Sequence, residues 1–182
     1  MILKYTPICE FEKKIIDFSL FDFAKRKFTL NECMGEKGTL IMFLCNHCPY
    51  VKAIIKDIVE TTDEIKKNGI NSIAIMPNDY EKYEEDNPKN MAKFAEIHKF
   101  KFPYLVDREQ IISKKYGAVC TPEFFGFNSN NKLQYRGRLT ELINLKKVNK
   151  KNELLDAMLE IANKQIGPRD QFPSMGCSIK WR

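Results

Sequence analysis

Cys45 and Cys48 stand three positions apart in Cys45-Asn46-His47-Cys48-Pro49, directly after the apolar run Thr39-Leu40-Ile41-Met42-Phe43-Leu44. Two thiols at this spacing can close a small disulfide and reopen it once one of them ionises, because the thiolate is the nucleophile in thiol–disulfide exchange. Pro49 suits the first turn of a helix, where its missing N–H would have had no partner. A sulfur at a helix start lies beside the positive end of the helix dipole, which favours the ionised form. His47, between the two cysteines, adds a second positive group. The pair therefore reads as a reversible dithiol. Cys45 is expected to attack from the exposed edge and Cys48, one turn in, to resolve the mixed disulfide; the opposite order, with Cys48 attacking, stays open.

The elements around this pair follow from periodicity. The run from Gly38 to Leu44 reads as a buried central strand, and residues 51–67 repeat apolar side chains at helical spacing through Val51, Ile54, Ile55, Ile58, Val59 and Ile65. Asn68-Gly69 ends that helix, and residues 70–76 form a second buried strand, so the unit is strand, helix, strand with a right-handed parallel crossover. Before it, residues 15–23 and 27–30 predict two short strands joined by a polar turn. After it come a polar acidic stretch at 78–88 (Asp79, Glu81, Glu84, Glu85, Asp86) read as a solvated loop, a helix opened by Pro88, a short strand at 104–106 and a helix at 109–116. Strands at 123–128 and 132–136 form a hairpin, with Phe124, Phe125 and Phe127 as strand core. Arg136 and Arg138 at its end read as solvated charges. A last amphipathic helix spans 149–165.

Bulk composition limits the alternatives. At 182 residues, 43% hydrophobic and 30% charged, the chain reads as one α/β domain, 1–182, with an N-terminal extension (1–14) and a C-terminal tail (166–182). The net charge of +6 comes from lysines spread along the chain, which argues for a mildly basic surface and against a nucleic-acid partner. No apolar run approaches the ~20 residues of a membrane span, and no secretory signal pattern precedes residue 14, so the expectation is a cytoplasmic protein without a membrane partner. Six cysteines in a reducing compartment are expected to be thiols plus one catalytic pair.

The order of these elements, with Thr121-Pro122 before the hairpin and closing helix, resembles the thioredoxin fold. More narrowly, Cys45-Asn46-His47-Cys48-Pro49-Tyr50-Val51, Cys120-Thr121-Pro122-Glu123-Phe124-Phe125, Tyr135-Arg136-Gly137-Arg138 and the tail Pro173-Ser174-Met175-Gly176-Cys177-Ser178-Ile179-Lys180-Trp181 resemble a peroxiredoxin-like group of bacterial thioredoxin-family proteins of AhpC-TSA type. The resemblance implies a central mixed sheet with helices on both faces and an added N-terminal hairpin. It also implies that Pro122 is a cis-proline facing the dithiol, and that Thr121 and Pro122 form a ledge for an extended substrate. His47 resembles the histidine of Cys-x-His-Cys disulfide oxidases and implies a more oxidising couple than thioredoxin's. Three departures stand out: the dipeptide is Asn46-His47, Leu44 replaces the tryptophan before the motif, and no buried carboxylate sits in the preceding strand. In the peroxiredoxin pattern Cys48 takes the place of the peroxidatic cysteine, with Cys45 where a hydroxyl residue would stand.

Three further residues are candidates for auxiliary redox or proton transfer. Glu123, just after Pro122, could accept a proton, against a surface glutamate. Cys120 could be a third redox thiol or a packed small hydrophobe. Cys177, in a flexible tail, could fold back as a resolving thiol. The function expected is thiol–disulfide oxidoreduction on protein or low-molecular-weight disulfides, driven by an external reductant or oxidant and needing no organic cofactor. The alternatives are a thiol-dependent peroxidase, a metal-binding module using Cys45, Cys48 and His47 or Cys177, and a non-catalytic interaction module. The leading expectation involves no metal.

Overall fold

The computed structural model describes residues 2–182. In chain order the strands are Leu3–Tyr5 (β1), Ser19–Asp22 (β2), Lys27–Thr29 (β3), Gly38–Phe43 (β4), Ile70–Met76 (β5), Tyr104–Val106 (β6), Cys120–Thr121 (β7), Glu123–Asn128 (β8), Leu133–Tyr135 (β9), Leu142–Ile143 (β10), Lys146–Lys147 (β11) and Met175–Ser178 (β12). The α-helices are Leu30–Cys33 (α1), Pro49–Lys67 (α2), Pro88–Ile97 (α3), Ile111–Tyr116 (α4) and Glu153–Lys164 (α5), with a 3-10 turn at Glu84–Asp86.

Seven strands make one mixed sheet in the order β3-β2-β6-β5-β4-β8-β9, in which β4, β5 and β6 run parallel and the other neighbours are antiparallel. Successive side chains of a strand point to opposite faces, so the fully buried β4 feeds two cores. Leu40, Met42 and Leu44 pack with α2, α3 and α5, whereas Ile41 and Phe43 pack with α1 and α4. The stripe Ile54, Ile55, Ile58 and Ile65 buries one face of α2 against the sheet, and burial contributes roughly 1.5–3 kcal/mol for each such side chain. Truncating the wholly buried Ile58 to alanine would cost about 2–5 kcal/mol. This packing fixes the start of α2 at the edge of the sheet where β4 ends.

Several expectations need correction. The tail is not loose: its strand β12 lies between β1 and β7 in a second sheet, with Cys177 opposite Thr121 and Leu3. Ser174 hydrogen-bonds Thr6 in both directions and donates through its hydroxyl to Pro122 O, while Lys180 and Arg182 bond Asn78, Asp79 and Gln110. A tail with few apolar repeats carries no periodic signal, because its pairing partners are the chain's other end and the residues around Pro122. The 78–88 stretch is not simply solvated either, since Asn78, Asp79 and Asp86 are buried. Leu30 begins a helix instead of ending a strand, because Thr29 and Glu32 form a capping box there.

Candidate active site

The loop between β4 and α2 carries the motif. Cys48 is the N-cap residue of α2 and Pro49 its first residue, so the helix start is set by sequence at that point. Tyr104, from β6, steadies the loop: its hydroxyl lies 3.2 Å from Leu44 O and 3.0 Å from Asn46 Oδ1. Thr121-Pro122 is a cis peptide, and Thr121 meets both motif sulfurs. Cys45 Sγ is 3.1 Å from Thr121 Oγ1, and Cys48 Sγ is 3.0 Å from Thr121 O. Cys48 Sγ also lies 2.8 Å from Cys177 Sγ on β12.

Neither motif sulfur occupies an exposed edge. Cys45 and Cys48 are 0% exposed and Cys177 2%, because β12 closes over the start of α2. Their ionisation divides sharply. The Cys48 thiol is held well below its ordinary range, first by the hydrogen bond from Cys177 and then by that from Cys45. Burial opposes this, and the backbone N–H groups of Val51 and Cys177 assist. Each hydrogen bond to the charged sulfur favours it, whereas the Thr121 carbonyl, an acceptor, favours the thiol. Cys45 is pushed well above its ordinary range, chiefly by burial and by donating to Cys48. Cys177 is raised by its own bond to Cys48 and by burial. The electrostatics thus favour Cys48 as the thiolate, the order that left Cys45 second.

His47 turns to Asp86 instead of acting on the sulfurs alone. Its Nδ1 is 2.7 Å from Asp86 Oδ2, and its ring stacks near Tyr83. That hydrogen bond raises the His47 pKa, against burial. Asp86 is 0% exposed and accepts further bonds from the backbone N–H groups of Asn46 (2.8 Å) and His47 (3.3 Å) and from Asn78 Nδ2 (2.7 Å). Sequence reasoning missed this residue. The available signal was topological: parallel β4 and β5 put the loops that follow them at the same end of the sheet. Cys45, His47 and Asp86 each offer a donor atom within 4.8 Å of the others, a borderline-soft set of the kind that holds zinc. Asp86 receives four hydrogen bonds, two of them from His47, whereas Cys45 bonds Thr121 instead of either.

Glu123 is not a surface residue. It is 0% exposed, with Oε1 2.6 Å from Arg136 Nη2 and 3.0 Å from its Nε, and Oε2 accepts from Val119 N at 2.8 Å. Burial raises its pKa, while Arg136 and the Val119 N–H pull it down. Arg136 is likewise buried, donating to Gly117 O and lying over the Phe125 ring, and Arg138 pairs with Glu153. Neither arginine is a solvated charge. Cys120 directs its sulfur towards Pro122 O, 3.7 Å away, and burial raises its pKa. Cys9 and Cys33, pushed up to about 11 by burial, stand outside this group.

A parallel-cored mixed sheet with a dithiol at a strand-to-helix junction and a cis-proline peptide beside it defines a thioredoxin-fold protein. A family model described as the AhpC/TSA family matches residues 11–136, and the chain belongs to that family. No curated protein matches it. Among solved structures, an uncharacterized conserved protein from Geobacillus kaustophilus is 34% identical over 100% of this chain and 97% of its own, with a TM-score of 0.92. The fold is shared at lower identity with two others. The thioredoxin domain of a thiol-disulfide oxidoreductase from Bacteroides vulgatus is 13% identical, covers 69% of this chain and 86% of its own, and has a TM-score of 0.58. The peroxidoxin BcpB from Mycobacterium tuberculosis is 15% identical, covers 86% and 97%, and has a TM-score of 0.62. Among the described residues no helix is long and apolar enough to cross a membrane.

Proposed function

We propose that this protein is a thiol–disulfide oxidoreductase whose working groups are Cys48, ionised, and Cys45, protonated. The observation that carries the reading is that both sulfurs converge on Thr121, one on its hydroxyl and one on its carbonyl, beside Pro122. Cys48 thiolate attacks a substrate disulfide, forming a mixed disulfide and releasing one substrate thiolate. Cys45 then gives up its proton to the thiolate already released and attacks Cys48 Sγ, expelling the second substrate thiolate and leaving Cys45–Cys48 oxidised. An external dithiol restores the reduced pair, and no bound cofactor takes part. Protein or low-molecular-weight disulfides are the substrates, and the cytoplasm is the proposed location.

The test is dithiothreitol-driven reduction of oxidised glutathione, with hydroperoxide consumption followed in parallel. The wild-type protein should accelerate disulfide reduction, and Cys48→Ser should fall to the uncatalysed rate. No acceleration by wild type, or full activity in Cys48→Ser, overturns the reading. Rapid hydroperoxide turnover through Cys48 without disulfide reduction would assign a peroxidase instead.

A further inference from the structure

We propose that Cys177 is a second disulfide partner of Cys48, so that the C-terminal strand carries a resolving thiol; this rests on the thiol–disulfide reading above. Three observations point to it. Cys48 Sγ and Cys177 Sγ are 2.8 Å apart, inside the van der Waals separation of two sulfurs and without any atom between them. Pairing of β12 with β7 sets Cys177 opposite Thr121, the residue that also meets Cys45 and Cys48, so the three sulfurs surround one residue. Finally, β12 closes the site: Gly176 packs so tightly on Thr121 O and Pro122 N that no side chain fits between them.

The burial of Cys48 gives this arrangement a consequence. A substrate sulfur reaches Cys48 only when β12 opens locally, and the strand that opens is the one bearing Cys177. Cys48 thiolate attacks the substrate disulfide R–S–S–R′ and releases R′S⁻. When β12 closes, Cys177 loses its proton to that leaving thiolate and attacks Cys48 Sγ. The Cys48–S–R bond breaks, RS⁻ departs, and Cys48–S–S–Cys177 forms. The substrate disulfide has taken up two electrons, and the two protein thiols have supplied them. Cys45 can later attack Cys48 Sγ, its proton passing to the Cys177 sulfur it displaces, a rearrangement with no net redox change. The closed strand is thereby covalently fastened until Cys45 or an external thiol releases it.

Peptide mapping reads this directly. Cys45 and Cys48 share the tryptic peptide 38–52, whereas Cys177 lies in 170–180. A Cys48–Cys177 disulfide links the two peptides; a Cys45–Cys48 disulfide only closes a loop within the first. Wild-type protein mixed with oxidised glutathione and acid-quenched over a time course should yield the linked pair before Cys45 rearranges it, and Cys45→Ser should retain it. Glutathione released from the Cys48 adduct should be at least about tenfold slower in Cys45→Ser/Cys177→Ser than in Cys45→Ser, since no resolving thiol remains. Equal release rates, or a looped first peptide in wild type with no linked pair at any time in the course, overturn the proposal for Cys177 while leaving the Cys45/Cys48 function intact. If neither disulfide forms, the oxidoreductase reading itself fails. The wild-type map needs no variant, so the result does not depend on the folding of any substitution.

Discussion

Gly176 meets the backbone of Thr121 with no room for a side chain: a Cβ built there would fall well inside the Thr121 carbonyl oxygen's contact distance. Because the obstacle is backbone on the residue before Pro122, it cannot rotate away, and β12 itself has to give. Gly176→Ala should therefore lift β12 from the ledge at a cost of about 1–3 kcal/mol. Native-state alkylation of Cys48, read by mass spectrometry, should accelerate by roughly an order of magnitude as local opening becomes easier. An unchanged alkylation rate would show that β12 is not what shields the sulfur.

Asp86 is the acceptor that organises the motif loop, and its replacement has a signed consequence. Asp86→Asn keeps one oxygen for the Asn46 and His47 N–H groups but points an NH₂ at His47 and Asn78, which are themselves donors. Leaving such buried groups unmatched costs about 1–3 kcal/mol each. The expected outcome is a loss of roughly 2–4 kcal/mol in denaturant titration, together with a fall of the His47 pKa, followed by NMR. A His47 titration that does not move would remove Asp86 as its cause.

The same pair gives a pH dependence. The folded His47 pKa is raised above its ordinary value near 6.5, mainly by Asp86. The folded state therefore holds the proton more tightly, and its stabilisation is complete below about pH 6.5 and is lost as pH rises through the folded value. The Tm difference between wild type and His47→Gln should be largest on the acid side of about pH 6.5 and shrink towards alkaline pH. A difference that grows with pH contradicts the assignment.

What was legible in the sequence, and what was not, follows the range of the interactions. β4, α2 and β5 announce themselves because their partners are near and their burial is one- or two-sided along a regular period. The Cys45–Cys48 spacing is local too. Asp86 looked solvated because acidic loops usually are, and only the adjacency of the loops after β4 and β5 buries it. Glu123 and Arg136 are 13 residues apart across a hairpin whose register shifts at Gly126/Phe127, so strand alternation did not pair them. Cys177 is 129 residues from Cys48, and a four-residue strand held by both chain ends has no periodicity to reveal it.

The Glu123–Arg136 pair supports the hairpin behind Pro122 and should behave as a buried ion pair. Arg136→Ala strands a carboxylate that is wholly buried, which costs about 3–5 kcal/mol. Replacing both, as Glu123→Leu/Arg136→Met, should recover a large part of that loss in a denaturation cycle. Additive losses in the double variant would mean that the two side chains do not interact in solution.

Cys120 discriminates between proximity and participation. It adjoins Thr121, yet its sulfur faces the Pro122 carbonyl, and burial holds the thiol far from ionisation. A buried cysteine of this kind acts as a small hydrophobe. Cys120→Ala should cost about 1 kcal/mol through one lost packing contact and leave the reduction potential of the dithiol where it was. That potential should itself lie above the roughly −270 mV of thioredoxin, because the hydrogen bonds from Cys177 and Cys45 stabilise the reduced, ionised Cys48. Glutathione-buffer titrations of wild type and Cys120→Ala measure both quantities at once. A shift of more than about 30 mV in the variant, equivalent to about 1.4 kcal/mol for a two-electron couple, would bring Cys120 into the redox chemistry. A wild-type value at or below thioredoxin's would instead show that Cys48 is not held as the thiolate.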